Sequence, residues 1–342
     1  MREKPGREDW QKLYDVMEEF YELEPWKRMD ELNLFALVYE DQTVYVNVLG
    51  GDVEQPGFAA YEGRDGLMTY MMFRDSEVLN ISDEFAVLSL SRIYCYFDEQ
   101  ETAGIEQKAA AEELGLKEDP AFGSVTTLKQ GYMPVTPDKE EMQRFTRYME
   151  DFITAYVEYC HHNVTVHFED AECFAWHVKE RKAEAMLLPV QGFEYEELDL
   201  QDREILDELL AIEQTKTRIE MGYAYLNVPI THTDAGELRD WFGNHIMVIT
   251  ADRDTGSPYG VVMAKSVEDL SFRLAEELIH YIYDWGRPAQ VSAADEISRA
   301  ALEGVCDQLN IDFVMRDLDQ IPRLAVEFPD YLREDIQERT QS

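Results

Sequence analysis

The chain has 342 residues, 45% of them apolar and 12% aromatic, too long for one core and rich enough in apolar side chains for two packed domains. Its formal net charge is −40, and residues 219–342 carry 23 acidic against 10 basic side chains, so neither half has the cationic excess that releases counterions from a phosphate backbone or an anionic membrane. With no apolar run near the roughly 18 residues of a spanning helix, no signal-like core in MREKPGREDWQKLYD, and Cys95, Cys160, Cys173 and Cys306 far apart without a CxxC pair, a cytoplasmic protein with reduced thiols is expected.

In chain order, Asp9 is placed to cap a first helix on which Trp10, Leu13, Tyr14, Met17, Phe20 and Tyr21 recur at helical spacing, ended by Pro25. Leu34–Tyr39 and Val44–Leu49 read as a hairpin, Gly57–Tyr61 as a third strand, Arg64–Phe73 as a short helix and Phe85–Phe97 as one or two strands. A helix from Glu101 to Leu114 should stop at Gly115. Thr136-Pro137 should open a long helix with Met142, Phe145, Met149, Phe152, Ile153 and Tyr156 as its buried stripe, closing the first domain at residues 1–163.

The segments PWKRMDELNLFALVYEDQTVYVNVLGGDVEQPGFAAYEGRDGLMTYM, LGLKEDPAF and LKQGYMPVTPDKEE resemble an uncharacterised bacterial family known only as a domain of unknown function. The resemblance spans roughly the first 160 residues and implies an α/β fold, with no activity and no catalytic residues attached.

Residues 164–200 read as a strand-rich connector, with strands at Val164–Phe168, Phe174–Val178 and Ala183–Val190 followed by acidic QGFEYEELD. From 201 to 342 the expected order is a helix at Gln201–Gln214, then strands at Gly222–Pro229, Ile246–Asp252 and Tyr259–Ala264. A helix capped by Ser266, the strand Ala289–Ala293, the helix Glu296–Leu309, the strand Ile311–Met315 and the helix Ile321–Glu338 complete it.

That succession, and the run from IMVITADRDTGSPYG to QLNIDF, resembles the integrase core of transposases, an RNase H-like βββαβαβα domain; the same run also resembles a second uncharacterised bacterial domain family. The fold class expected is therefore α/β (α+β): a mixed N-terminal domain followed by an RNase H-like domain. The integrase resemblance implies a metal-binding carboxylate at Asp295 and a third acid at Glu327 or Glu334; Asn227 stands where the first acid would, and Asp252 lies on the next strand's end, where the family keeps a turn residue. Paired divalent ions need several carboxylates converging on sites about 3.5–4 Å apart, and the amide of Asn227 brings an oxygen without charge. Asp295 has a structural alternative, since it directly precedes a helix and can cap it; Asp252 and Asp254 sit at a hairpin turn.

Cys160, His162, His167 and Cys173, with His161 and His177 close by, are the side chains from which a zinc site could be drawn, although their spacing fits no standard finger. Tyr281, Tyr283 and Trp285 could anchor a partner. No P-loop, dinucleotide fingerprint or nucleophile elbow is present in the chain.

The expected function is binding of another protein, or self-association, without catalysis, without a cofactor and without direct contact to nucleic acid or membrane. A divalent-metal nuclease or phosphotransferase using Asp295, Asp252 and Glu334, with Mg or Mn, is the alternative from another class. An acidic mimic of nucleic acid is the third.

Overall fold

The computed structural model describes the chain apart from residues 1, 51–54, 98–102, 117–120, 162–163, 191, 194, 196, 232–241 and 342. The N-terminal domain runs α1 (Arg7–Leu23), β1 (Phe35–Val38), β2 (Thr43–Leu49), β3 (Gly57–Glu62), α2 (Gly63–Arg74), α3 (Ser76–Leu79) and α4 (Asp83–Leu88). It continues with β4 (Arg92–Phe97), α5 (Ile105–Leu114), β5 (Gly123–Leu128), α6 (Lys139–His161), β6 (Glu172–His177) and β7 (Lys182–Leu187). Helix α7 (Arg203–Ala211) leads to β8 (Arg218–Tyr225), β9 (Ile230–Thr231), β10 (Phe242–Gly243), β11 (Ile246–Asp252) and β12 (Pro258–Ala264). Then come α8 (Val267–Trp285), β13 (Gln290–Ala293), α9 (Glu296–Gln308), β14 (Asp312–Met315) and α10 (Gln320–Gln341).

Seven strands in the order β5-β4-β3-β2-β1-β6-β7 form the N-terminal sheet. All its neighbours are antiparallel except β1 and β6, paired Phe35 to Phe174. Period-two alternation divides the faces: Val44, Val46 and Val48 join Leu13, Phe20, Phe145 and Phe152 in one core, while Tyr45, Ala59 and Tyr61 pack with Leu67, Tyr70 and Met71 of α2 in another. The span 164–200, expected as a connector, thus supplies two strands of the first sheet, and that sheet ends at Leu187 rather than before residue 163.

The second sheet has the order β12-β11-β8-β13-β14. The first three strands are antiparallel; β13 runs parallel to β8 and β14 parallel to β13. Helices α8 and α9 cover one face, through Leu274, Leu278, Ala301 and Val305. Helix α10 covers the other, where Ile321 and Leu324 meet Met247 and Ile249. Its start is pinned by Glu220, fully buried on β8, whose carboxylate accepts the backbone N–H of Asp319 at 3.3 Å and of Gln320 at 2.7 Å. This satisfies donors that a helix start otherwise leaves open.

Three local expectations are corrected. Phe85–Leu88 lies in helix α4, whose start Ser82 accepts from the N–H of Phe85. Val164–Phe168 forms no strand and runs into a short 3-10 turn. Helix α6 is capped not by Thr136 but by Asp138, in a reciprocal box: Asp138 accepts from the N–H of Glu141 at 2.9 Å, and Glu141 from that of Asp138 at 3.1 Å.

The domains share a core. Met72, Leu79, Ile81, Phe85 and Ala86 of the N-terminal domain belong to the same buried cluster as Leu274 and Val291 of the C-terminal one. Polar contacts tie the seam as well: Gln130 accepts from the N–H of Val267 at 3.3 Å, and the hydroxyls of Ser89 and Tyr225 lie 3.0 Å apart.

Candidate interdomain binding site

Along β8, Tyr223 and Tyr225 point to one face, and Phe85 of α4 packs against both, with ring centroids at 4.6 and 5.0 Å. Beyond these rings the domains part to leave a cleft of about 650 Å³. One wall is α4 with the turn before it. The other is α10, which presents Pro322, Ala325, Val326 and Pro329 at the i, i+3, i+4, i+7 spacing of a single helix face. Val326 is 67% exposed.

Asp295 lies on the floor, 8% exposed. It precedes α9 and caps it: one carboxylate oxygen accepts the N–H of Ser298 at 2.9 Å, and the other accepts the Ser298 hydroxyl at 2.9 Å. The hydroxyl of Tyr223 donates to the first oxygen at 2.9 Å. Burial raises the Asp295 pKa above the ordinary carboxylate value of 3.8, despite these three donors. Burial, with the charge of Asp295 beside it, drives the Tyr223 hydroxyl well above 10.0, so it stays a neutral donor.

Residues 10–176 match the family model described as Domain of unknown function (DUF7309), and residues 206–328 match Domain of unknown function (DUF6930). The two matches cover the N-terminal half and the C-terminal third of the chain. No curated protein matches it.

Within the C-terminal domain the acids named from the sequence do not converge. Asp252 pairs with Ile219 at the start of β8, whereas the parallel register of β13 carries Asp295 past the Ser292–Glu220 pair toward the other end of that strand. Four residues of strand separate the two levels, about 13 Å. Asp252 instead organises its own hairpin turn, accepting from the N–H groups of Asp254 and Thr255 at 2.9 and 2.7 Å and from the Tyr259 hydroxyl at 3.0 Å. Burial alone would raise its pKa; these bonds outweigh it and leave the pKa lowered.

Asn227 is not the neighbour of Asp295. It lies past the end of β8 with φ 52°, bonded to Asn244 and to Glu84 of the N-terminal domain. The residue facing Asp295 is Tyr223. Glu327 is exposed and pairs with Arg323. Glu334 is in α10, and its side chain lies outside the described residues. Among the described residues no third metal-ligating side chain joins Asp295.

The cysteine–histidine set is dispersed too. Cys160 is exposed at the end of α6 near Arg28. Cys173 is buried on the α2 side of the first sheet. His167 is exposed beside Glu169 and Asp170, His177 bonds Glu184 at 2.9 Å, and His162 lies outside the described residues. All four cysteines carry free thiols. Trp285 and Tyr283 are exposed, whereas Tyr281 is buried against Tyr259.

Phe85, Tyr223 and Tyr225 carry no site signal in the sequence: both tyrosines fall within the expected strand Gly222–Pro229, and Phe85 falls in a stretch expected as strand that forms helix α4 instead. The α10 stripe was legible at its helical spacing but had no wall to face until α4 was known.

Proposed function

We propose that the protein is a non-catalytic binding protein that engages a protein partner at the interdomain cleft. Its C-terminal sheet runs third strand, second, first, fourth, fifth, with the first three antiparallel and the last two parallel to the first. That order supports reading the DUF6930 domain as an RNase H-like scaffold. The observation that carries the functional reading is the Tyr223–Asp295 hydrogen bond. It puts a neutral phenol where ion-bridging chemistry requires a second anionic oxygen.

Other features support the same reading. The remaining anionic partner, Asp252, stands at the far end of β8. Helix α4 packs against the Tyr223 end of β8. The net charge of −40 opposes phosphate backbones and membranes alike. In this reading no cofactor is needed, and the cytoplasm suits four free thiols. Among the described residues no helix is long and apolar enough to cross a membrane.

Two measurements test the reading. Labelled DNA and RNA incubated with the protein and manganese should remain intact; cleavage that disappears in Asp295→Ala overturns the non-catalytic reading. A photo-crosslinking residue replacing Val326 should give a discrete protein adduct in cells, while one replacing Ile105, 88% exposed on α5, should not. Equal adducts from both positions would remove the cleft as the binding surface.

A further inference from the structure

Resting on the proposal that the cleft receives a partner, its lining indicates the partner's chemistry. Among the described residues four carboxylates line it, Glu84, Asp295, Asp317 and Asp330, and no lysine, arginine or histidine does. Asp295 is committed to its helix cap on the floor. The other three are exposed at the rim, Glu84 also accepting from the Asn227 side-chain amide at 3.1 Å. Asp317 precedes α10 and Asp330 follows the stripe of Pro322, Ala325, Val326 and Pro329, so the apolar stripe lies between two acids. At 1.5 Å per helical residue they are separated by about 15–20 Å. Glu84 faces them from α4, close to Phe85 and Leu88.

We infer that the cleft binds an amphipathic segment of another protein, with apolar side chains in the middle and lysine or arginine at both ends. The apolar centre fits the helix-in-groove mode, in which anchors at i, i+3, i+4 and i+7 lie along a groove. The rim acids select charge and orientation. Val326, exposed at the centre of the stripe, is the surface such a segment would cover. A second copy of this chain is a poor occupant: it would set one acidic rim against another on molecules each carrying −40, and like charges across an interface are repulsive.

The test uses a fluorescent synthetic helical peptide of about 15 residues, leucines on one face and lysines at both ends, with versions ending in glutamate or in uncharged glutamine. Anisotropy titrations should show saturable binding of the lysine peptide alone, weakened about tenfold or more by Val326→Asp and by Asp317→Asn with Asp330→Asn. Glu180→Gln, which removes charge from the exposed turn between β6 and β7, should leave affinity unchanged. With Asp317→Lys and Asp330→Lys together, preference should pass to the glutamate peptide.

Equal loss in Glu180→Gln would show that only the overall negative field is sensed, and would overturn the inference. So would equal affinity for the three peptides, or binding insensitive to Val326→Asp. A small amine binding the cleft with the same dependence on the rim acids, while the lysine peptide does not bind, would assign the site to a metabolite instead. Metal-dependent cleavage would refute the non-catalytic reading without touching this result, so the two failures are distinguishable.

Discussion

Asp295 combines two roles that a substitution separates. Removing it as Asp295→Ala deletes the α9 cap, worth about 1 kcal/mol, and leaves the Tyr223 hydroxyl without its acceptor, costing about 1–3 kcal/mol more. A urea titration should therefore show a loss of about 2–4 kcal/mol. Asp295→Asn keeps an oxygen acceptor and removes the charge. Because burial raises the folded-state pKa of Asp295 above 3.8, and that of Glu277 above 4.5, both groups favour the folded chain below those ordinary values. That contribution is lost as pH rises through the raised folded-state values. Stability of the native chain should accordingly fall relative to Asp295→Asn as pH rises above 3.8, and relative to Glu277→Gln as pH rises above 4.5. A difference that grows with pH instead would show that hydrogen bonding to the ionised carboxylates outweighs their burial.

At the scale of single elements, chemistry local to a few residues was readable and chemistry set by distant packing was not. Ser266 caps α8 as its position before Val267 and Asp269 implied, Gly115 ends α5 with φ 77°, and β11 spans Ile246–Asp252 as expected. Strand β8 was misplaced because Glu220 breaks its apolar run, and its burial makes sense only once α10 arrives to use it as a cap. Strand β5, Gly123–Leu128, passed unnoticed among threonine, serine and glycine; pairing with β4 holds it. Phe85–Leu88 looks extended by composition, and its contact with two tyrosines from the other domain gives the helix its place. The cap of α6 offers a direct check. Asp138→Ala should cost about 1 kcal/mol of stability, and Thr136→Ala no more than about 0.5 kcal/mol, both read from chemical denaturation.

Taken whole, the protein has two large mixed sheets joined by one shared core, and the functional reading depends on that junction. The order of the main C-terminal strands and helices was legible, apart from the bounds of β8 and the short β9–β10 pair. The cleft was not, because its walls come from α4 and α10, more than two hundred residues apart. Phe85 is 4% exposed and bridges the domains, so Phe85→Ala should cost about 3–5 kcal/mol. The native chain should unfold in one transition, with far-ultraviolet circular dichroism and tyrosine fluorescence coinciding. Phe85→Ala should separate the two signals into steps. If the native chain already unfolds in two, the shared core is not what couples the domains.

The parallel pairing of β1 with β6 sets a timetable for synthesis. Phe35 meets Phe174, so β1 leaves the ribosome long before the strand that will flank it. At about 5–20 residues per second, one side of β1 waits roughly 7–28 seconds with its backbone amides and carbonyls unmatched. During that interval the nascent chain offers a neighbouring polypeptide an open strand edge, the sort of edge that seeds aggregation, until β6 arrives to close it.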